Sequence, residues 1–360
     1  MRLLPCFALL SLAAFTQAQD FDFSGIPADH AIVVASTGTR GLRISESPEA
    51  RALKAKLEQF GAQQSKAQQE MAVALRAAAG IDLQSPDNHF AMGLTPLGEG
   101  RFVGGIILHV RHDSDKLAAY GAAQNIPTLS AGGLSGWRAR ELVGRLAFGG
   151  AGAQMAKTAI ATAETSGDSE PVGVFDVDAE TLIVAKPREA ARMIALLKGQ
   201  GVSYALTPPS KAQAAKTGRP YVIMAMNASK LPPSPAMAKS GLQDALMVIG
   251  EDAADQVVKV NTVFADEAKA TPYVRQAQGM LAMMPLMMAG NPIRPQSAED
   301  KEMKEIFREM LAGIRPIEHN GAEIGLSASW ETARLCAMMG RLLELNAARM
   351  GAAQAAELGK

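Results

Sequence analysis

The sequence predicts an α+β fold of two similar halves, each an antiparallel sheet of repeated ββα units with helices packed on one face. Three observations carry this. First, segments 187–198 and 329–340 match as helices: Glu189 aligns with Glu331, Ala191 with Ala333, Arg192 with Arg334 and Ala195 with Ala337. Apolar residues fill the remaining shared slots, as in Met193 with Leu335 and Ile194 with Cys336. Second, each helix follows a strand–turn–strand: 172–177 turns through 178–180 into 181–185, and 314–318 turns at Asn320-Gly321 into 323–327. Third, strand, strand, helix also occurs one unit earlier in each half, at 89–94, 102–110 and a helix from Asp115, then at 244–249, 257–264 and a helix from Asp266, which can serve as its cap. A repeat of this length reads as a duplication.

The elements follow in order. Residues 1–18 have the form of a secretory signal peptide: Arg2, an apolar run over 3–15, and the small-x-small site Thr16-Gln17-Ala18. That run is too short to span a bilayer, which takes about 20 apolar residues. The mature chain is expected to begin near Gln19 and to be exported, periplasmic or extracellular. The first domain is read as 19–206. It opens with a strand at 30–36. Ser47 and Pro48 then start a long helix as cap and first residue, with Leu53, Leu57, Phe60, Met71 and Leu75 as its buried stripe. Residues 207–219 contain Pro, Lys and Gly and read as a linker. The second domain, 220–360, opens with a strand at 221–226, the counterpart of 30–36. Pro-rich loops are read at 231–235 and 291–295.

Composition excludes several partners. Lys+Arg and Asp+Glu both total 36, and no basic run stands out. Nucleic acid and anionic membrane surfaces are therefore not expected partners. With 48% hydrophobic residues, the chain can bury a core without disulfides. Cys6 leaves with the signal peptide, and Cys336 lies on an apolar helix face, where a thiol is inert.

No motif assigns a reaction or a cofactor. Residues 148–158 are glycine-rich, but Ala151 and Ala156 stand where a phosphate loop needs glycine. Ser135 sits out of register for a nucleophile elbow. Parallel βαβ order is absent, so no nucleotide crevice is expected. His109, His112 and Asp113 have the chemistry to ligate a metal, but strand positions three apart point to opposite faces. The favoured reading is a solvated strand end whose Asp113 or Ser114 caps the next helix. Met280, Met283, Met284, Met287 and Met288 recur at helical spacing. Thioethers suit Cu(I). They also fill cores or line an adaptable apolar groove, and that reading is preferred.

The words Phe175-Asp-Val-Asp-Ala-Glu-Thr-Leu-Ile-Val-Ala-Lys186 before the Glu189-Ala-Ala-Arg192 helix resemble a segment of exported two-repeat α+β proteins of verrucomicrobial and planctomycete type. Val248-Ile-Gly-Glu-Asp252, Ala265-Asp-Glu-Ala268 and Gln276-Ala-Gln-Gly279 are similar to their second repeat. That group has no assigned activity. The resemblance implies export and a duplicated architecture, and carries no functional residue over.

The function expected on these grounds is a non-enzymatic exported binding protein of the cell envelope. Its partner would be an unknown protein or an apolar ligand, and the methionines would be its surface. Two alternatives stand beside it. One is an enzyme with a site built from Glu99, Arg101, His109, Arg111, His112 and Asp113. The other is a structural envelope component.

Overall fold

A computed structural model describes residues 21–38, 40–64, 77, 80–81, 85, 87–98, 101–146, 170–289 and 297–358. The signal-peptide reading, the glycine-rich 148–158, the loop at 291–295 and Glu99 lie outside these residues. So do the side chains of Leu57, Phe60, Met71 and Leu75.

The architecture is α+β, centred on one antiparallel twelve-stranded sheet. Its strands are β1 (Ile32–Ser36), β2 (His89–Gly98), β3 (Arg101–His109), β4 (Thr128–Ala131), β5 (Leu134–Arg138) and β6 (Gly173–Asp178). They continue with β7 (Thr181–Ala185), β8 (Arg219–Asn227), β9 (Leu242–Asp252), β10 (Asp255–Phe264), β11 (Glu318–Asn320) and β12 (Glu323–Glu331). The helices are α1 (Arg43–Glu46), α2 (Pro48–Gln64), α3 (Ser114–Ala123), α4 (Ala139–Leu146) and α5 (Pro187–Leu197). After them come α6 (Pro208–Ala215), α7 (Pro235–Ser240), α8 (Glu267–Ala289), α9 (Ala298–Ala312) and α10 (Thr332–Leu358).

The strand order is β11-β12-β10-β9-β8-β1-β2-β3-β7-β6-β5-β4. From the centre, β1-β2-β3-β7-β6 runs one way and β8-β9-β10-β12-β11 runs the other, with the same order of connection. At the centre β1 pairs directly with β8, from Ile32↔Met226 to Ser36↔Val222. The sheet is thus continuous across the boundary where a linker is expected. Residues 207–219 themselves hold α6: the Thr207 hydroxyl accepts from Ser210 N at 3.3 Å, and Pro208 opens the helix. Thr-Pro here starts a helix rather than breaking one, because proline's missing N–H costs nothing in the first turn.

Helices lie on both faces of the sheet, not on one. On the first face Val33, Ala35, Ala91, Ile107, Ile183, Ile223, Leu246 and Val248 join Ala190, Met193 and Ile194 of α5 in the largest buried cluster. On the second face Leu117 of α3 packs with Val110, Trp137, Val174 and Leu182. The physical reason is visible in neighbouring pairs such as Val174-Phe175 and Leu182-Ile183. An uninterrupted apolar run puts side chains on both sides of a strand, and both must be covered.

The predicted caps at Ser47, Asp113 and Asp266 form as expected. Ser47 Oγ accepts from Ala50 N at 3.0 Å, Asp113 Oδ1 from Lys116 N at 3.0 Å, and Asp266 Oδ1 from Lys269 N at 2.8 Å. The β4–β5 hairpin has no counterpart among the expected elements. It turns on Gly132 and Gly133, with φ of +57° and +82°. Two successive positive φ values are the geometry of a tight hairpin turn and suit glycine at both positions.

Candidate binding surface

The polar hairpin does not converge. His109 stacks on His89, with ring centroids 4.3 Å apart. Burial, then the neighbouring His89, holds the His109 imidazole below its ordinary value. His112 is buried beyond the strand end, with Nδ1 2.9 Å from Val110 O and Nε2 3.0 Å from Asp176 Oδ1. Both of its ring nitrogens are therefore committed to oxygen acceptors. Asp113 caps α3 and pairs with Lys116 at 3.4 Å. Arg111 meets Glu180 at 3.3 Å on the exposed surface. Each group has a separate partner. Among the described residues, no group of three His, Cys, Asp or Glu is placed to hold a metal ion.

The methionine helix is α8. Its Ala270 and Val274 pack on Phe264 and Ile324. Met280 and Met283 are 58% and 57% exposed. The side chains of Met284, Met287 and Met288 lie outside the described residues. Met280 and Met283 thus offer exposed thioethers to solvent.

A polar cluster that runs from a buried core to the surface escaped the sequence reading. His30 Nε2 lies 3.0 Å from Glu189 Oε1, and its Nδ1 lies 3.1 Å from Thr95 Oγ1. Arg192 Nη1 donates to Glu189 Oε2 at 3.0 Å, and Arg192 Nη2 to Asp29 Oδ1 at 2.6 Å. Hydroxyl, imidazole and carboxylate thus lie in the order of a hydrolase triad. The Thr95 hydroxyl also accepts from Ala31 N at 3.2 Å, which ties it to the start of β1. The cluster fastens β1's approach to α5. The sequence signal was weak: a histidine just before a strand, and a glutamate in the first turn of a helix.

The second face of the sheet carries a surface that no single element reveals. Direct cross-strand pairing places Leu326, Val260, Met247, Met224, Val34, Met92 and Ile106 in one row from β12 to β3. Val34 is buried and the others remain part-exposed. Ile32, Leu94 and Met226 lie two residues along on the same side and are also part-exposed. The first face differs: Val33, Ile107, Ile223, Leu246 and Val248 are all at most 2% exposed. None of the six part-exposed residues in the row belongs to a buried cluster among the described residues. The row crosses seven strands, on the order of 30 Å at about 4.8 Å per strand. Clusters on α3 and on Leu42 of the chain before α1 border it. Large part-open apolar patches of this kind mark contact sites for ligands, partners or membranes.

No family model matches the chain, and no curated protein matches it in sequence. Among solved structures, crystal forms I, III and IV of TP0453 are similar, at 8%, 7% and 6% identity and TM-scores of 0.35, 0.37 and 0.37. The likeness spans 91%, 90% and 89% of this chain and 99%, 99% and 97% of those chains. Among the described residues, no helix is long and apolar enough to cross a membrane.

Proposed function

We propose that this chain is an exported, non-enzymatic binding protein of the cell envelope, and that it holds an elongated apolar ligand along the methionine-lined row. One observation supports this: apolar residues from Leu326 to Ile106 are aligned by strand pairing, and all but Val34 are left part-exposed. Met92, Met224 and Met247 in that row are unbranched and polarisable, so they adapt to a ligand of irregular shape. A side chain fully buried by a ligand contributes about 1.5–3 kcal/mol. Several acting together hold an apolar molecule without a polar anchor.

The test is titration of the mature protein with a neutral apolar fluorophore, 1-N-phenylnaphthylamine, followed by displacement with a long-chain alcohol. Saturable binding and competitive displacement are expected. Met224→Asp combined with Met247→Asp is expected to weaken binding at least tenfold. Unchanged binding by that folded double variant rejects the reading. Capture of a protein by this face, with no dye binding, also rejects it.

A further inference from the structure

Two sequence features play no part in the methionine-lined row: the Pro-rich stretch 231–235 and the Thr207-Pro-Pro209 start of α6. The fold brings them together around a cavity of about 590 Å³. Its apolar wall is Pro209 of α6, Leu231, Pro232 and Pro233 of the stretch, Leu242 of β9 and Val263 of β10. Val263 pairs with Asp244, on the side of Leu246 and Val248, so the cavity lies on the first face of the sheet. The volume is within the range of small-molecule sites, roughly 300–1,000 Å³. Proline fixes its own backbone φ, so a wall built on three prolines is set before a ligand arrives.

The wall offers a ligand no charge. Asp244 is the only ionisable residue that lines it, and its carboxylate is committed within the protein. Oδ2 accepts from the hydroxyls of Thr207 and Ser210, the latter at 2.7 Å, and Oδ1 is sealed from solvent. Asn227 Oδ1 is engaged too, accepting from Ser229 N at 3.0 Å and from Ser229 Oγ at 2.6 Å. A charged molecule seated here gives up water without gaining a counter-charge, which is costly. A neutral apolar one carries no such penalty. Proline rings present C–H groups, and aromatic rings carry a negative face, so the two pack well; aromatic-lined grooves hold proline-rich segments in this way. Here the prolines belong to the wall, and the aromatic ring belongs to the ligand.

We infer that the cavity between α6 and the 231–235 stretch is a binding site for a small neutral aromatic molecule, whose ring lies against the proline wall. The site is independent of the methionine-lined row, which lies on the opposite face.

The experiment is isothermal titration of the chain from Gln19 onward with 2-naphthylmethanol, 2-naphthylmethylammonium, 2-naphthoate and the saturated decahydro-2-naphthylmethanol. The neutral aromatic alcohol is expected to bind at one site, at least tenfold tighter than either charged form and at least threefold tighter than the saturated alcohol. Ala238 lines the cavity and is exposed, so Ala238→Trp fills the space without entering a core and is expected to weaken binding at least tenfold. Pro232 and Pro233 are exposed as well, and Pro232→Ser combined with Pro233→Ser is expected to weaken binding at least threefold with the fold retained. The folded Met224→Asp, Met247→Asp variant is expected to bind the aromatic alcohol as the unaltered chain does. Equal binding of a charged form overturns the inference, and so does equal binding of the saturated alcohol. Absence of saturable binding, or binding that neither cavity variant weakens, overturns it too. Binding lost in the methionine double variant places the ligand on the other face and has the same consequence.

Discussion

His30 and Glu189 stand 159 positions apart in sequence, and their side chains meet at 3.0 Å, with both residues at most 4% exposed. Burial alone raises the Glu189 carboxyl. The hydrogen bond from His30 and the charges of Arg192 and His30 outweigh it and hold the group below its ordinary 4.5. A carboxyl depressed in the folded state contributes stability above its unfolded value and loses it as pH falls through the lower folded value. The wild-type urea midpoint is therefore expected to lose this contribution below pH 4.5 as the carboxyl titrates. Glu189→Gln should flatten that acid limb, and Glu189→Ala should cost about 3 kcal/mol at pH 7 by leaving His30 without its acceptor. Urea titrations from pH 3 to 7 check both. Parallel acid limbs in wild type and Glu189→Gln would remove the linkage from Glu189.

Gln256 is the centre of a second buried network and the more sensitive one. It is 2% exposed. Its Oε1 accepts from Tyr221 OH at 3.0 Å, and its Nε2 donates to Glu251 Oε1 at 2.7 Å and Thr332 Oγ1 at 2.9 Å. Glu251 Oε1 also accepts from Ile44 N at 2.8 Å. One side chain thereby links β8, β9, β10, α1 and the start of α10. Gln256→Ala leaves several polar groups without partners, each costing about 1–3 kcal/mol, so a loss of at least about 3 kcal/mol is expected. Tyr221→Phe removes one hydrogen bond and should cost about 1 kcal/mol. Denaturant midpoints of the two variants should rank in that order, and a Gln256→Ala loss no larger than that of Tyr221→Phe contradicts the network's role.

These two clusters also show what the sequence could and could not disclose. The repeated strand–strand–helix units and the caps at Ser47, Asp113 and Asp266 rest on local chemistry, and they were legible. Glu189 and Glu331 occupy matching positions in sequence, yet Glu189 is buried against His30 and Glu331 is exposed. Their fates depend on tertiary partners that no local pattern encodes. The methionine-lined row is invisible for the same reason, since Met92, Met224 and Met247 become neighbours only through pairing with β1 and β8. Gly132-Gly133 differs, because its signal is local. Two glycines beside Leu129 and Leu134 were a readable hairpin signal.

Gly121 tests whether packing or helix propensity wins in α3. Replacing glycine by alanine within a helix normally stabilises by about 1 kcal/mol. A Cβ on Gly121, however, collides with the Trp137 indole, which is 8% exposed and enclosed in the second-face cluster. Overpacking of this kind costs about 1–3 kcal/mol. The expected sum for Gly121→Ala is a net loss of about 1 kcal/mol, with a shift in the Trp137 fluorescence as its ring is displaced. Thermal unfolding and emission spectra check it. A stabilised variant with unchanged emission shows that the indole yields freely.

Cys336 gives the sharpest test of whether α10 is seated as described. It is 2% exposed and packs with Ala50 and Leu53 of α2. Burial, and then the nearby Glu49, push its thiol up to about 11. At pH 8 only about one molecule in a thousand then carries the thiolate, which is the reactive form. The folded chain from Gln19 onward, in which Cys336 is the single cysteine, is therefore expected to react with dithionitrobenzoate far more slowly than a free thiol. In 6 M guanidinium the same cysteine should react at once and to one equivalent. Because exposure requires α10 to lift from α2, the folded-state rate should also rise with sub-denaturing urea. Fast labelling of native protein at pH 8 means that the α2–α10 contact opens readily, and Leu53→Ala should then accelerate it little. Slow labelling that Leu53→Ala accelerates at least tenfold establishes the contact as what protects the thiol.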